Sequence, residues 1–187
     1  MNYKPSLILT LLLAVSSLSA DPVVYEVDPV HSGVTFKVRH LLNKIPGTFA
    51  KFDGEIHFDK EHPENSKAIG TVQVNSVDTR NEKRDKHLQG EDFFKSDNNP
   101  VIEFSSTQWK PIGENKFIVS GILKMIGMEH PIELELTYLG EMESRGAMKS
   151  GWEGKVTLDR TDWGMTYGTA MVGTEIEIEL NIQARRQ

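Results

Sequence analysis

Cysteine is absent from the 187-residue chain. That excludes disulfides, thiol catalysis, zinc–thiolate sites and a lipid-modified cysteine behind a signal peptide. Long hydrophobic runs are scarce as well. The clearest, Leu7–Val15, follows Lys4 and leads into "SLSA", which ends at Ala20. It is too short to span a bilayer, and no stop-transfer pattern follows it. Residues 1–20 therefore read as a cleaved signal peptide, residues 21–187 as one domain, and the mature protein as periplasmic or secreted. Basic charge is in deficit: 21 Lys and Arg against 27 Asp and Glu give a net charge of −6. An acidic chain without a basic stripe is a poor partner for nucleic acid or anionic membrane surfaces.

Catalytic and metal-binding signatures are missing too. The six histidines show neither HxH nor HExxH spacing, and no GxSxG elbow is present. The stretch "HSGVTFKVRH" begins at His31 and ends at His40, nine positions later. An odd separation in a strand puts the two rings on opposite faces, so they are not expected to share a metal. His40 falls with Val34, Phe36 and Val38 on the apolar face, and His31 falls with Thr35, Lys37 and Arg39 on the outer one. Two roles stand open for His40, a hydrogen-bonded residue at the core margin or a ligand contact. His31 reads as a surface or turn residue. No catalytic residue, metal or cofactor is expected.

What the chain does have is period-2 alternation. In "GTEIEIELNIQ", Ile176, Ile178, Leu180 and Ile182 face one way and Glu175, Glu177, Glu179 and Asn181 the other. "PIELELTYLG", "GWEGKVTLDR" and "DGEIHFD" repeat the pattern. "KFIVSGILKM" carries Ile118 and Ile122 on its second face, which predicts a strand covered on both sides. Turn segments such as "EHPEN" and "LGEMESRG" separate the runs. The reading is all-β: eight or nine antiparallel strands, joined mostly as hairpins, closing on themselves or stacking on a second sheet.

One segment breaks the pattern. "TRNEKRDKHLQGEDFF" has Thr79 and Glu82 at capping-box spacing and Gly90 as a stop. This predicts one short helix with Arg84, His87 and Leu88 on one face, plugging a barrel end or flanking the sheet.

Taken in order, "YEVDPVHSGVTFKVRHL", "GTFAKFDGEIHFD", "VDTRNEKRDKHLQGEDFF", "PVIEF", "VSGILKMIGMEHPIELEL" and "LDRTDWGM" resemble the YceI family, periplasmic polyisoprenoid-binding proteins with a lipocalin-like barrel. The resemblance runs from about Tyr25 to Ile182. It implies an eight-stranded antiparallel barrel with one short helix, an apolar tunnel for an isoprenoid or long acyl chain, transient membrane contact, and a homodimer. The expected lining is Phe36, Val38, Ile56, Phe58, Phe94, Phe104, Leu123, Ile178 and Leu180, with Trp163 and Met165 from "RTDWGM". At the mouth, Arg84 and His87 are candidates to hold a phosphate or quinone oxygen, with Asp85 orienting them. Arg84 and Asp85 have a structural alternative, a bond pinning the helix to the barrel.

A carrier for a quinone, polyprenyl phosphate or similar amphiphile is thus the leading function. An enzyme acting on such a lipid would use His40, His87 or Asp85 as acid or base. An interaction module would use the glutamate-rich face of "EIEIELN".

Overall fold

The computed structural model describes residues 21–187, so the expected signal peptide lies outside the described residues. Eleven strands form one sheet: β1 Val23–Val27, β2 Gly33–His40, β3 Asn43–Phe49, β4 Phe52–Phe58, β5 Lys67–Gln73, β6 Val77–Asp78, β7 Val101–Gly113, β8 Lys116–Met125, β9 Met128–Ser144, β10 Ala147–Asp159 and β11 Val172–Arg186. Register reduces them to eight staves. The first stave is β1 and β2, which lie end to end along β11; Val27 pairs Ala184 and Gly33 pairs Asn181. The second, β4 and β3, runs antiparallel to them. The third, β5 and β6, flanks the second. β7 to β11 follow as a meander, and β11 pairs back onto β1 to close an eight-stranded antiparallel barrel.

The break between β1 and β2 has a local cause. Pro29 opens a 3-10 turn through His31, and the Asp28 carboxylate caps it by accepting from the Val30 N–H at 3.1 Å. His31 therefore sits in a turn before the strand, its Nδ1 2.8 Å from Asp28.

Alternation holds around the ring. Buried Phe117, Val119, Leu123 and Met125 of β8 face inward, but Ile118 and Ile122 remain half-exposed. The expected two-sided cover is not found, because the outer face of this stave is the surface of the barrel. Glu175, Glu177 and Glu179 point away from an apolar interior, the reverse of the pattern in a membrane-spanning barrel.

An aromatic cluster closes one end. Phe58 packs on Trp152 at 4.9 Å and on Tyr138 at 5.0 Å, with Trp109, Phe117 and Tyr25 around them. Each such pair contributes about 0.5–1.5 kcal/mol beyond its buried area. The polar edges are satisfied: Trp152 Nε1 donates to Ser150 Oγ at 2.9 Å, and the Tyr25 hydroxyl donates to Glu141 at 2.6 Å. Burial, and then the Glu141 carboxylate, pushes the Tyr25 phenol above its ordinary pKa.

The other end carries the predicted helix, α1 Glu82–Gln89. Its N-cap is Asn81, whose side chain accepts from the Arg84 N–H at 3.0 Å, and not Thr79 as the capping-box spacing implied. Thr79 is already committed to Asp85, which accepts from its N–H at 2.8 Å and its hydroxyl at 2.5 Å.

Candidate functional site

Between the aromatic plug and α1 the barrel holds a cavity of about 510 Å³, within the usual range for a small-ligand site. Along β11 its wall runs from Ile182 to Ile176, about 20 Å of strand. The lining is overwhelmingly apolar. Phe36, Val38, Ile56, Phe94, Phe104, Leu123, Met165, Ile178 and Leu180 all line it. Two of these rings lie flat because glycine faces them. A Cβ on Gly47 would stand 2.2 Å from the Phe36 ring, and one on Gly121 would stand 2.5 Å from Phe104. Where Gly54 pairs with Gly70 across β4 and β5, the wall is bare backbone.

Two expected lining residues and one expected mouth residue lie elsewhere. Phe58 shares its inward parity with Ile56 but sits two residues deeper, inside the plug. Trp163 is 2% exposed at the foot of a 3-10 turn, its ring 5.0 Å from His130 and its Nε1 unpaired among the described residues. Asp85 turns from the cavity to hold Thr79.

Polar groups gather at the mouth. His40 ends β2 there, and Arg84 and His87 reach it from one face of α1. Arg84 Nε donates to Thr79 Oγ1 and Nη2 to Thr79 O, both at 2.7 Å, so its fork is fixed in place. Neither acceptor is a carboxylate; the Asp85 carboxylate joins this network only through the Thr79 hydroxyl and N–H, so Arg84 makes no direct ion pair in it. His87 Nε2 lies 2.8 Å from Asp92, and the ring packs edge-on against Tyr167 and Phe93.

Arg160 was not expected here. It is 2% exposed, lines the cavity, and lies with its guanidinium 5.9 Å from the Phe93 ring centre. Nε donates to Gly173 O at 2.9 Å, Nη2 to Tyr167 O and Val172 O at 3.0 Å each, and Nη1 to Met165 O. Burial lowers its pKa, partly countered by Asp159, but an arginine keeps its proton in a protein. The signal was in the sequence: Arg160 has the inward parity of Leu158. Tyr167 and Met171, also missed, lie in a loop where parity carries no information.

The ionisable side chains along the lining are thus Arg84, Arg160, His40, His87 and Tyr167, with Asp53 on the far wall. Among the described residues no group of three or more His, Asp or Glu is placed to hold a metal.

Known proteins share this architecture. A UPF0312 protein of Pseudomonas paraeruginosa is 33% identical over 181 residues, covering 95% of this chain and 93% of its own. The crystal structure of BcnA from Burkholderia cenocepacia superposes with a TM-score of 0.76 at 23% identity, covering 84% of this chain and 99% of that one. A polyisoprenoid binding domain from Saccharophagus degradans, implicated in plant cell wall breakdown, gives 0.69 at 14% identity, with 87% and 98% covered. Likeness at such identities shows the fold alone. The family model for the YceI-like domain, however, matches residues 25–184, from the first stave to the closing one, and the chain belongs to that family.

Proposed function

We propose that this protein binds a polyisoprenoid or a similar long-chain amphiphile, with the tail in the barrel and the head among Arg84, His87 and His40. The carrying observation is the pairing of an apolar cavity with a mouth where the fixed Arg84 guanidinium makes no direct bond to a carboxylate. A tail makes no directional demands, so the apolar wall suffices. An anionic or strongly accepting head finds donors already fixed in place. The polyisoprenoid binding domain with the same fold supports the choice of tail. Residues 1–20 are read as the export signal, the site of action as periplasmic or extracytoplasmic, the role as binding and transport, and the assembly as a homodimer.

Native mass spectrometry of the protein purified without detergent, followed by solvent extraction, tests this. The expected result is a stoichiometric adduct with a prenyl or long-acyl mass. A clean apo mass, with no uptake of offered quinone or polyprenyl phosphate, would overturn it. Recovery of a chemically altered lipid would replace binding by catalysis, with the His87–Asp92 pair as the first place to look.

A further inference from the structure

The mouth carries a second feature that holding a ligand does not require. Leu41 and Leu42 form the two-residue tip between β2 and β3, and they are 58% and 90% exposed. Leu41 has φ +54°, the left-handed region where a two-residue turn normally places Asn or Gly. A bulky exposed leucine there helps neither the turn nor solubility. The Leu41 N–H donates to Met171 O at 2.8 Å, which ties the tip to the loop holding exposed Met171 and Tyr167. Residues 163–174 contain no ionisable acid or base other than Tyr167. Tyr167 and Met171 also line the cavity, so the exposed apolar rim is continuous with the interior.

Charge is arranged around this rim. On the α1 side, Arg80, Lys83 and Lys86 are exposed beside Glu82, Glu91 and Asp78, which accepts from the Arg80 N–H at 2.7 Å, while Asp85 is held by Thr79 and Asp92 by His87. Lys83 lies next to His87 around the helix, so the cations border the mouth. On the other side, Lys37, Arg39 and Lys44 share a surface groove with Glu175 and Glu177, the latter paired with Lys44. Residues 29–52, which build this hairpin, contain no acid. The net charge of −6 averages over the whole chain, whereas the charged side chains of residues 29–52 are all basic.

We propose that the rim of the cavity mouth, Leu41, Leu42, Tyr167 and Met171, docks onto an anionic lipid bilayer, with Lys83, Lys86 and Arg80 at the headgroups. Exposed aliphatic and aromatic side chains backed by lysines make an interfacial anchor. The inference deepens the lipid-binding reading and rests on it for its purpose, since a tail drawn from a bilayer enters here.

Flotation with phosphatidylglycerol–phosphatidylethanolamine vesicles that contain no isoprenoid tests docking apart from cargo. The purified protein should float with the vesicles. Leu41→Asp with Leu42→Asp should weaken the partition by about tenfold or more. Leu139→Asp with Met142→Asp, exposed apolar positions on the strand that contributes to the closed end, should leave it unchanged. Both variants should melt with the parent protein. Docking of a protein that yields no bound lipid on extraction would support the rim and fail the carrier. Absence of flotation, or equal flotation of the rim variant, would overturn the proposal. So would a dimer that the rim variant alone converts to monomer in sedimentation, because the rim would then be covered by a second copy.

Discussion

Gly70 allows the cavity to be filled without strain. It lies on β5 between inward Ala68 and Val72, opposite Gly54 on one side and Phe104 on the other. A Cβ at this position meets nothing nearer than Asp53 O at 3.7 Å. Gly70→Leu therefore grows into the cavity of about 510 Å³ and not into a packed wall. Burying a leucine side chain is worth about 1.5–3 kcal/mol, and removing a mid-strand glycine adds about 0.5–1 kcal/mol. A net gain of about 2 kcal/mol raises Tm by roughly 4–8 °C in a domain of this size. The four side-chain carbons displace about four carbons of a bound tail, which at about 0.8 kcal/mol per CH₂ weakens uptake from water roughly 200-fold. Thermal unfolding and titration with a fluorescent prenyl probe read the two effects separately. A lowered Tm would show that the space is already filled. An unchanged affinity would show that the tail lies elsewhere, and either result refutes the reasoning.

Three further outcomes follow from the polar network. Asp85→Ala leaves the N–H and hydroxyl of Thr79, itself 5% exposed, without their acceptor; urea unfolding should show a loss of about 2 kcal/mol, and a loss under about 0.5 kcal/mol would contradict the pinning role. Arg160→Met strips the carbonyls of Met165, Tyr167, Val172 and Gly173 of a buried donor. It should cost about 3 kcal/mol and speed hydrogen exchange across residues 165–173, and a stable variant with unchanged exchange would refute it. The Asp59 and Asp159 carboxylates are held below the usual range, Asp59 chiefly by the His62 N–H and Asp159 chiefly by the Thr161 hydroxyl and N–H. The unfolded chain then binds more protons, so their contribution is complete above about pH 5 and lost as pH falls through the depressed folded values. Asp59→Asn with Asp159→Asn should flatten the acid limb of a stability–pH profile, and an unaltered limb would exclude them as its source.

Much of the barrel was legible because a buried face enforces parity. In β11, Ile176, Ile178, Leu180 and Ile182 have no other way to leave water, and a one-residue slip would bury the glutamates. Parity says nothing about depth. Ile56 and Phe58 point the same way, yet one lines the cavity and the other plugs its floor. Ile118 and Ile122 misled because an outward isoleucine on a barrel looks the same in sequence as one beneath a second layer. The joining of β1 with β2 and of β3 with β4 into single staves was hidden as well, since β1 and β2 are aligned by their register on β11, far away in sequence, and β4 and β3 then follow β1 and β2. At the helix start two polar residues competed locally. Asn81 took the cap because Thr79 was engaged by Asp85 and Arg84, an outcome decided by side chains five and six residues onward.

Arg84 bears on the energetics of a carrier. A bilayer solvates a prenyl tail about as well as Phe104, Leu123 and Ile178 do, so the roughly 0.8 kcal/mol gained per CH₂ against water cancels when cargo moves from membrane to barrel. What remains is the exchange at the headgroup. There Thr79 fixes the guanidinium before any ligand arrives, which lowers the ordering cost of binding. A hydrogen bond to a charged group is worth about 1.5–3 kcal/mol net, or roughly one to two powers of ten in partition. In the proposed carrier role, a preference of that size would load the protein at a membrane rich in the lipid and release the lipid at one that is poor. A tail pocket alone would show no preference, and a tighter head site would hold its cargo. An apolar barrel with a few fixed donors at its mouth therefore suits exchange between bilayers better than storage.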